Sequence, residues 1–183
     1  MKLKLLARPL LLLALLFFTV WANATQFVPL SVEQLTERAR LVLHGTVLAK
    51  TVQRDSAGRI YTKVELQVTE AWKGAVTGGR FILVHAGGVL GEETGAVTGQ
   101  ESYEVGEEVV SFLVLNQRGE GVTLGLAQGK FHVSNDPASG LKLVHNPFHG
   151  RPPGTPGESA RRATQKTSLE LTELKTRVKG VRP

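Results

Sequence analysis

The chain has 183 residues, 22 of them Lys or Arg and 16 Asp or Glu, and it has no cysteine. The lack of cysteine excludes disulfides, cysteine nucleophiles, thiolate metal sites and an acylated lipoprotein anchor. Residues 25–150 hold 11 basic against 13 acidic side chains, whereas residues 151–183 hold 8 against 3. The basic charge is therefore confined to the tail, and a nucleic-acid-binding face is not expected.

The first 24 residues have the pattern of a secretory signal peptide. Three basic residues, Lys2, Lys4 and Arg8, precede an apolar run, residues 10–21, which ends just before Ala22-Asn23-Ala24. This run of 12 residues is too short for a transmembrane helix, which needs about 20 apolar residues. We expect cleavage after Ala24, a mature chain that starts at Thr25 without membrane insertion, and a periplasmic or secreted location.

The mature chain opens with a predicted helix and a long hairpin. Ser31 and Gln34 have the spacing of a capping box, which predicts a short amphipathic helix over residues 31–40. Beyond it, apolar and polar residues alternate over 41–53 and 59–70, with turn residues between the two segments. This alternation predicts two antiparallel strands.

Four further strands are predicted by apolar runs at 81–86, 109–115, 122–126 and 130–134. The glycine-rich stretch 87–100 is expected to be either a loose hairpin or a mobile loop. Short connections between about five or six strands favour a mainly β fold, a small OB-like antiparallel β-barrel. We assign this barrel domain to residues 25–134.

The last part of the chain changes in composition. Residues 135–165 are rich in Pro and Gly, which predicts an extended or disordered connector. Residues 166–183 form a basic C-terminal helix or tail, in which Thr167 and Glu170 have capping-box spacing. The apolar stripe of this helix needs a partner, either the barrel or another protein.

The histidines are the first candidates for chemistry. His145 and His149 are four residues apart, but Pro147 between them prevents the regular helix that would place both on one side of a zinc ion. His44 and His132 lie in predicted strands and would pair only if they faced one pocket. We assign no catalytic, cofactor-binding or metal-binding residue, and we expect no cofactor.

Carboxylates gather around the glycine-rich stretch and the strand that follows. They are expected to form a solvated acidic rim, with weak divalent-cation binding as the alternative. The residues are Glu92, Glu93, Glu101, Glu104, Glu107 and Glu108.

The aromatic side chains expected to matter at a surface are Tyr61, Trp72 and Tyr103. Tyr61, on the polar face of its strand, is the best binding candidate, and core packing is the default for Trp72.

Three segments carry a family resemblance: LVLHGTVLAKTVQRDSAGRIYTKVELQVTEAWKG, GGVLGEETGAVTGQESYEVGEEVVSFLVL and LAQGKFHV. They resemble a family of uncharacterised exported bacterial proteins over about residues 30–134. More distantly, the order of strands around Trp-Lys-Gly and Val-Gly-Glu is similar to netrin-like domains and tissue inhibitors of metalloproteinases. The resemblance implies an OB-type barrel. It transfers no site residue, because those inhibitors use an N-terminal Cys and this chain has none.

The functional hypothesis is a non-enzymatic binding module that presents loops 87–104 and 116–121 and the C-terminal helix to a protein partner. One alternative is a metal-dependent hydrolase that uses the histidines. Another is an envelope polyanion binder that acts through the basic tail. The basic residues of that tail are Arg151, Arg161, Arg162, Lys166, Lys175, Arg177, Lys179 and Arg182.

Overall fold

The computed structural model describes residues 28–97, 99–100, 102–150 and 168–181. The expected signal peptide lies outside the described residues, as do residues 151–167 of the connector and tail. The described part is mainly β, with two short helices, as the sequence predicts. No helix in this part has both the length and the apolar character needed to cross a membrane.

The described part of the chain contains two α-helices, ten strands and one 3₁₀ turn. In order they are α1 (Val32–Arg38), β1 (Leu41–Arg54), β2 (Ile60–Lys73), β3 (Arg80–Ala86), β4 (Gly88–Leu90), β5 (Glu93–Gly95), β6 (Glu108–Leu115), β7 (Gly121–Thr123), a 3₁₀ turn (Leu126–Gly129), β8 (Lys130–Asn135), β9 (Lys142–His145), β10 (Leu169–Glu170) and α2 (Leu171–Gly180). The strands at 41–54 and 60–73 confirm the predicted long hairpin.

Five strands close into a barrel in the order β1–β2–β3–β7–β6, and β6 pairs back to β1. All neighbours are antiparallel except β3 and β7, which are parallel and pair only at Leu83 and Gly121. Register shifts in β1 mark bulges that let it pair with β2 and β6. At one shift, a Cβ on Gly45 would collide with the carbonyl oxygen of Gln67, so only glycine fits this close approach. The OB-like barrel is therefore present, with one parallel contact.

Side chains of β1 and β6 alternate between two separate apolar cores. Leu43 and Val109 are fully buried inside the barrel, while Val42 and Val110 are fully buried on its outer side beneath the helices. This explains why β6 is apolar on both faces, as the sequence indicates.

Both helices pack on the outer core. The α1 capping box is confirmed: Gln34 N–H donates to Ser31 Oγ at 3.2 Å, and Ser31 N–H donates to Gln34 Oε1 at 2.9 Å. In α2, Leu174 and Val178 are buried against the barrel and α1, so the barrel domain itself covers the apolar stripe of this helix. The N-cap of α2 is Glu170, without a side-chain cap bond, and Thr167 lies outside the described residues.

Part of the expected connector is folded, because residues 142–145 form β9. There β9 pairs with β8 on one side and with β10 on the other. Its four residues are too few for a clear alternation, and its burial depends on strands distant in sequence. The glycine-rich stretch forms the β4–β5 hairpin, which decides between the two alternatives for residues 88–95.

Candidate functional site

A cleft opens in the barrel wall between β3 and β7. These strands pair only at Leu83 and Gly121, after which β3 continues to Ala86 while the chain after β7 turns away into the 3₁₀ turn. The gap leaves a cavity of about 420 Å³ beside residues 84–86. This volume is in the range of pockets that bind small ligands.

Three connections of the barrel form the rim of the cleft. The β1–β2 turn contributes Asp55 and Arg59, the segment after β5 contributes Val97 and Gln100, and the β6–β7 turn contributes Arg118. The walls are mainly apolar, and their residues are Ile60, Val84, Ala86, Val97, Val122 and Leu126. Parts of both loops expected to bind a partner, 87–104 and 116–121, therefore meet at one cavity.

Tyr61 and Arg118 form a stacked pair at the rim, which we call the Tyr61–Arg118 plate. The Arg118 guanidinium carbon lies 5.8 Å from the centre of the Tyr61 ring, close enough for a cation–π contact. Gln53 Nε2 donates to the Tyr61 hydroxyl at 2.5 Å, which restrains the ring. The Arg118 guanidinium also pairs with Glu120 at 2.8 Å. The sequence identified Tyr61 as a candidate, but nothing in it connects Tyr61 to Arg118.

Each guanidinium at the rim has its own carboxylate. Arg59 pairs with Asp55 at 2.7 Å, and hydrogen bonds from the Arg59 backbone and side chain lower the pKa of Asp55. Hydrogen bonds from Asn116 and then Arg118 likewise lower the pKa of Glu120. The rim therefore carries paired charges and presents no excess of either sign.

His85 lies between the cleft and the barrel interior. Its ring stacks on Tyr103 with centroids 6.2 Å apart. Nδ1 is 3.1 Å from the Ala86 carbonyl oxygen, and because a carbonyl only accepts, Nδ1 carries the proton. Burial lowers the pKa of His85, so the ring is neutral near pH 7 and Nε2 is an acceptor. Nε2 is buried and has no hydrogen-bond partner among the described residues.

A second polar group, the Glu107 cluster, comprises Glu107, Lys130, His132 and His145. The Lys130 side chain is 1% exposed and donates to Glu107 at 2.8 Å and to the Ser102 carbonyl oxygen. His132 pairs with the same carboxylate, and its ring stacks on His145 with centroids 5.3 Å apart. Burial alone would raise the pKa of Glu107, but hydrogen bonds from His132 and Lys130 outweigh it and lower the pKa to about 2.

The remaining histidines lie in separate surroundings. His44 contacts Glu108 at 2.7 Å on the outer face of β1, so it does not share a pocket with His132. His149 Nε2 lies 2.8 Å from the Leu30 carbonyl oxygen, away from His145. Within the part of the chain that the structure describes, no group of three or more acidic or histidine side chains is arranged to hold a metal ion.

Four of the carboxylates expected at the acidic rim make ion pairs. Glu93 pairs with Arg54 at 2.5 Å and Glu104 pairs with Lys50 at 2.6 Å. Glu107 and Glu108 pair as described above. Glu101 lies outside the described residues.

Tyr103 is fully buried, so the expectation that it lies at a surface is wrong. Its hydroxyl contacts Ser111 Oγ at 3.1 Å and Thr123 Oγ1 at 2.8 Å inside the barrel. Trp72 is buried in the outer core, as the sequence analysis expects. Which aromatic side chains face the interior depends on how the strands pair to close the barrel.

Three of the eight tail cations are engaged in ion pairs with the barrel domain. Lys175 and Lys179 both bind Glu70, at 2.8 and 2.9 Å, and Arg177 binds Glu33 at 2.9 Å. The other five lie outside the described residues.

No protein-family model matches the chain, and no curated protein matches it at a significant level. The two family resemblances therefore stay predictions.

Proposed function

We propose that this chain is an exported, non-enzymatic binding module that binds a protein partner in the cleft between β3 and β7. The observation that carries the proposal is the cavity itself, with apolar walls and the Tyr61–Arg118 plate on its rim. Concave apolar sites with few polar groups are the usual form of a binding site. OB-type barrels bind ligands at their second and third strands and adjoining loops, which is where this cleft lies.

The paired charges favour an uncharged protein surface over a polyanion. A phosphate-rich ligand would have to compete with Asp55 and Glu120 for the rim guanidiniums. Two carboxylates of the barrel domain, Glu70 and Glu33, likewise engage three cations of α2. Both findings weaken the polyanion-binding alternative.

The hydrolase alternative has less support than the binding module. His44, His132 and His149 each contact a different group of this chain. A hydrolytic metal site would need several of them to converge with an open coordination position. None of these contacts lies at the cleft.

The proposal is tested by site-specific photo-crosslinking in the envelope of the native host. A photoreactive residue replaces Val97, which is 43% exposed on the cleft, and in a matched control it replaces the exposed Thr69 on β2. We expect one defined adduct from position 97, absent from position 69 and reduced by Tyr61→Ala. Adducts that are the same from both positions, or that persist fully with Tyr61→Ala, would overturn the proposal.

A further inference from the structure

We infer that the cleft binds its partner as an added β-strand: an extended, uncharged polypeptide segment pairs with the open edge of β3 at residues 84–86. This inference rests on the proposed function and names how the partner is held. The contacts of β3 define the edge, the turn after β7 keeps it open, and the cleft walls fit the side chains of the added strand.

The backbone of β3 is open on the side that faces the cleft. Gly87 N–H donates to the Ile60 carbonyl at 2.9 Å, so the backbone groups at this position point to β2. In an antiparallel ladder the direction alternates from residue to residue. The Val84 carbonyl and the Ala86 N–H therefore point away from β2, and the Ala86 carbonyl, which accepts from His85 Nδ1, keeps a second lone pair for another donor. No strand among the described residues pairs with β3 beyond Leu83.

Contacts after β7 hold this edge open. Thr123 at the end of β7 is held inside the barrel by the Tyr103 hydroxyl. Leu124 N–H then donates to the Phe112 carbonyl at 2.9 Å, and Gly125 adopts φ +63°, a conformation that favours glycine. The chain thus turns away from β3 because of fixed contacts, and the open edge is a feature of the fold.

An extended polypeptide fits these features. Unpaired backbone N–H and C=O groups on a strand edge are matched by another peptide backbone, which is how many domains capture extended segments. The cavity lies directly beside residues 84–86, where Val97, Val122 and Leu126 offer apolar contacts to side chains of the added strand. Because the rim guanidiniums are neutralised by Asp55 and Glu120, a segment without net charge is the complementary occupant.

The experiment uses a phage-displayed library of random linear dodecapeptides, panned against the mature chain. Selected peptides are synthesised with a single N-methyl group at each position in turn, and their affinities are measured by fluorescence anisotropy. N-methylation removes one backbone donor without changing the protein. We expect tenfold or greater weakening at alternate positions over a short central stretch, and little change between them.

Two protein variants complete the test. Ala86→Pro removes the N–H that faces the cleft, whereas the control Ala86→Ser keeps it. We expect Ala86→Pro to lose tenfold or more in affinity and Ala86→Ser to bind as the parent does. The N-methyl pattern decides the question even if Ala86→Pro fails to fold.

The outcomes separate this inference from the proposed function. Uniform tolerance of N-methylation, with binding still lost in Tyr61→Ala, would overturn strand addition and keep the cleft as a protein-binding site. Selection of strongly charged peptides would overturn the uncharged partner. Failure to select any peptide that depends on Tyr61 would overturn both proposals.

Discussion

The cleft and the Glu107 cluster are two regions of the barrel that carry polar side chains, and they differ in where their hydrogen-bonding groups are directed. In the cluster, the buried ammonium of Lys130 and the carboxylate of Glu107 bind each other. In the cleft, the charges pair at the rim, while the edge of β3 and His85 Nε2 lie beside a cavity. The buried pairing of the cluster consolidates the fold, whereas the cleft keeps its ion pairs at the rim and has room for a ligand.

The largest expected effect on stability concerns the apolar interior of the barrel, outside both of these regions. Leu66 is fully buried inside the barrel, whereas Thr69 on the same strand is exposed. Leu66→Asp loses apolar packing and buries a carboxyl group, so it should cost at least about 5 kcal/mol of unfolding free energy. Thr69→Asp should cost less than about 1 kcal/mol. Thermal and urea melts measure both, and the reverse order would show that the register of β2 is wrong.

The next largest effect concerns the Glu107 cluster. Glu107→Gln leaves the buried ammonium of Lys130 without a counter-charge, and we expect a loss of about 3–5 kcal/mol in urea unfolding. The double variant Glu107→Gln/Lys130→Met removes both charges and should recover at least half of that loss. A single variant as stable as the parent would show that the cluster does not consolidate the barrel.

Acid sensitivity should also follow the cluster. The pKa of Glu107 falls from its usual 4.5 to about 2 in the fold, so its contribution is complete above about pH 4.5 and is lost as pH falls towards 2. The unfolding free energy of the parent should therefore drop in this window, and Glu107→Gln should flatten the drop. Glu33→Gln is the control: the Arg177 guanidinium also lowers the pKa of Glu33, but both side chains are partly exposed and solvent screens the pair, so its effect should be smaller. Equal effects would contradict the contrast between buried and surface pairs.

The smallest effect on stability is expected in the cleft. The Arg118 side chain is 60% exposed, so Arg118→Ala should lower the unfolding free energy by less than about 1 kcal/mol. The same variant should weaken the binding of cleft-selected peptides, because it removes half of the plate on Tyr61. Arg80→Ala, which removes a comparably exposed cation away from the cleft, is the matched control. Equal binding by both variants would show that the plate does not contact the partner.

The local elements could be predicted from the sequence because their signals are short-range. The Ser31–Gln34 capping box needs only four residues, and the β1–β2 hairpin follows from alternation across one turn. The apolar run of β6 predicts burial on both faces, which the two cores confirm. Tyr61 was identified for the same reason, since its position on the polar face follows from the period of its own strand.

The cleft was decided by tertiary structure alone. It exists because β3 meets β7 at a single residue pair, and that contact joins positions 83 and 121, which no local pattern relates. The same holds for Tyr103 and Lys130: only barrel closure turns these residues inward, onto Thr123 and Glu107. Side-chain period fixes which residues share a face. Which faces become interior, and which edge stays open, depends on strand pairing between distant segments, whose free energy is gained only when the barrel forms as a whole.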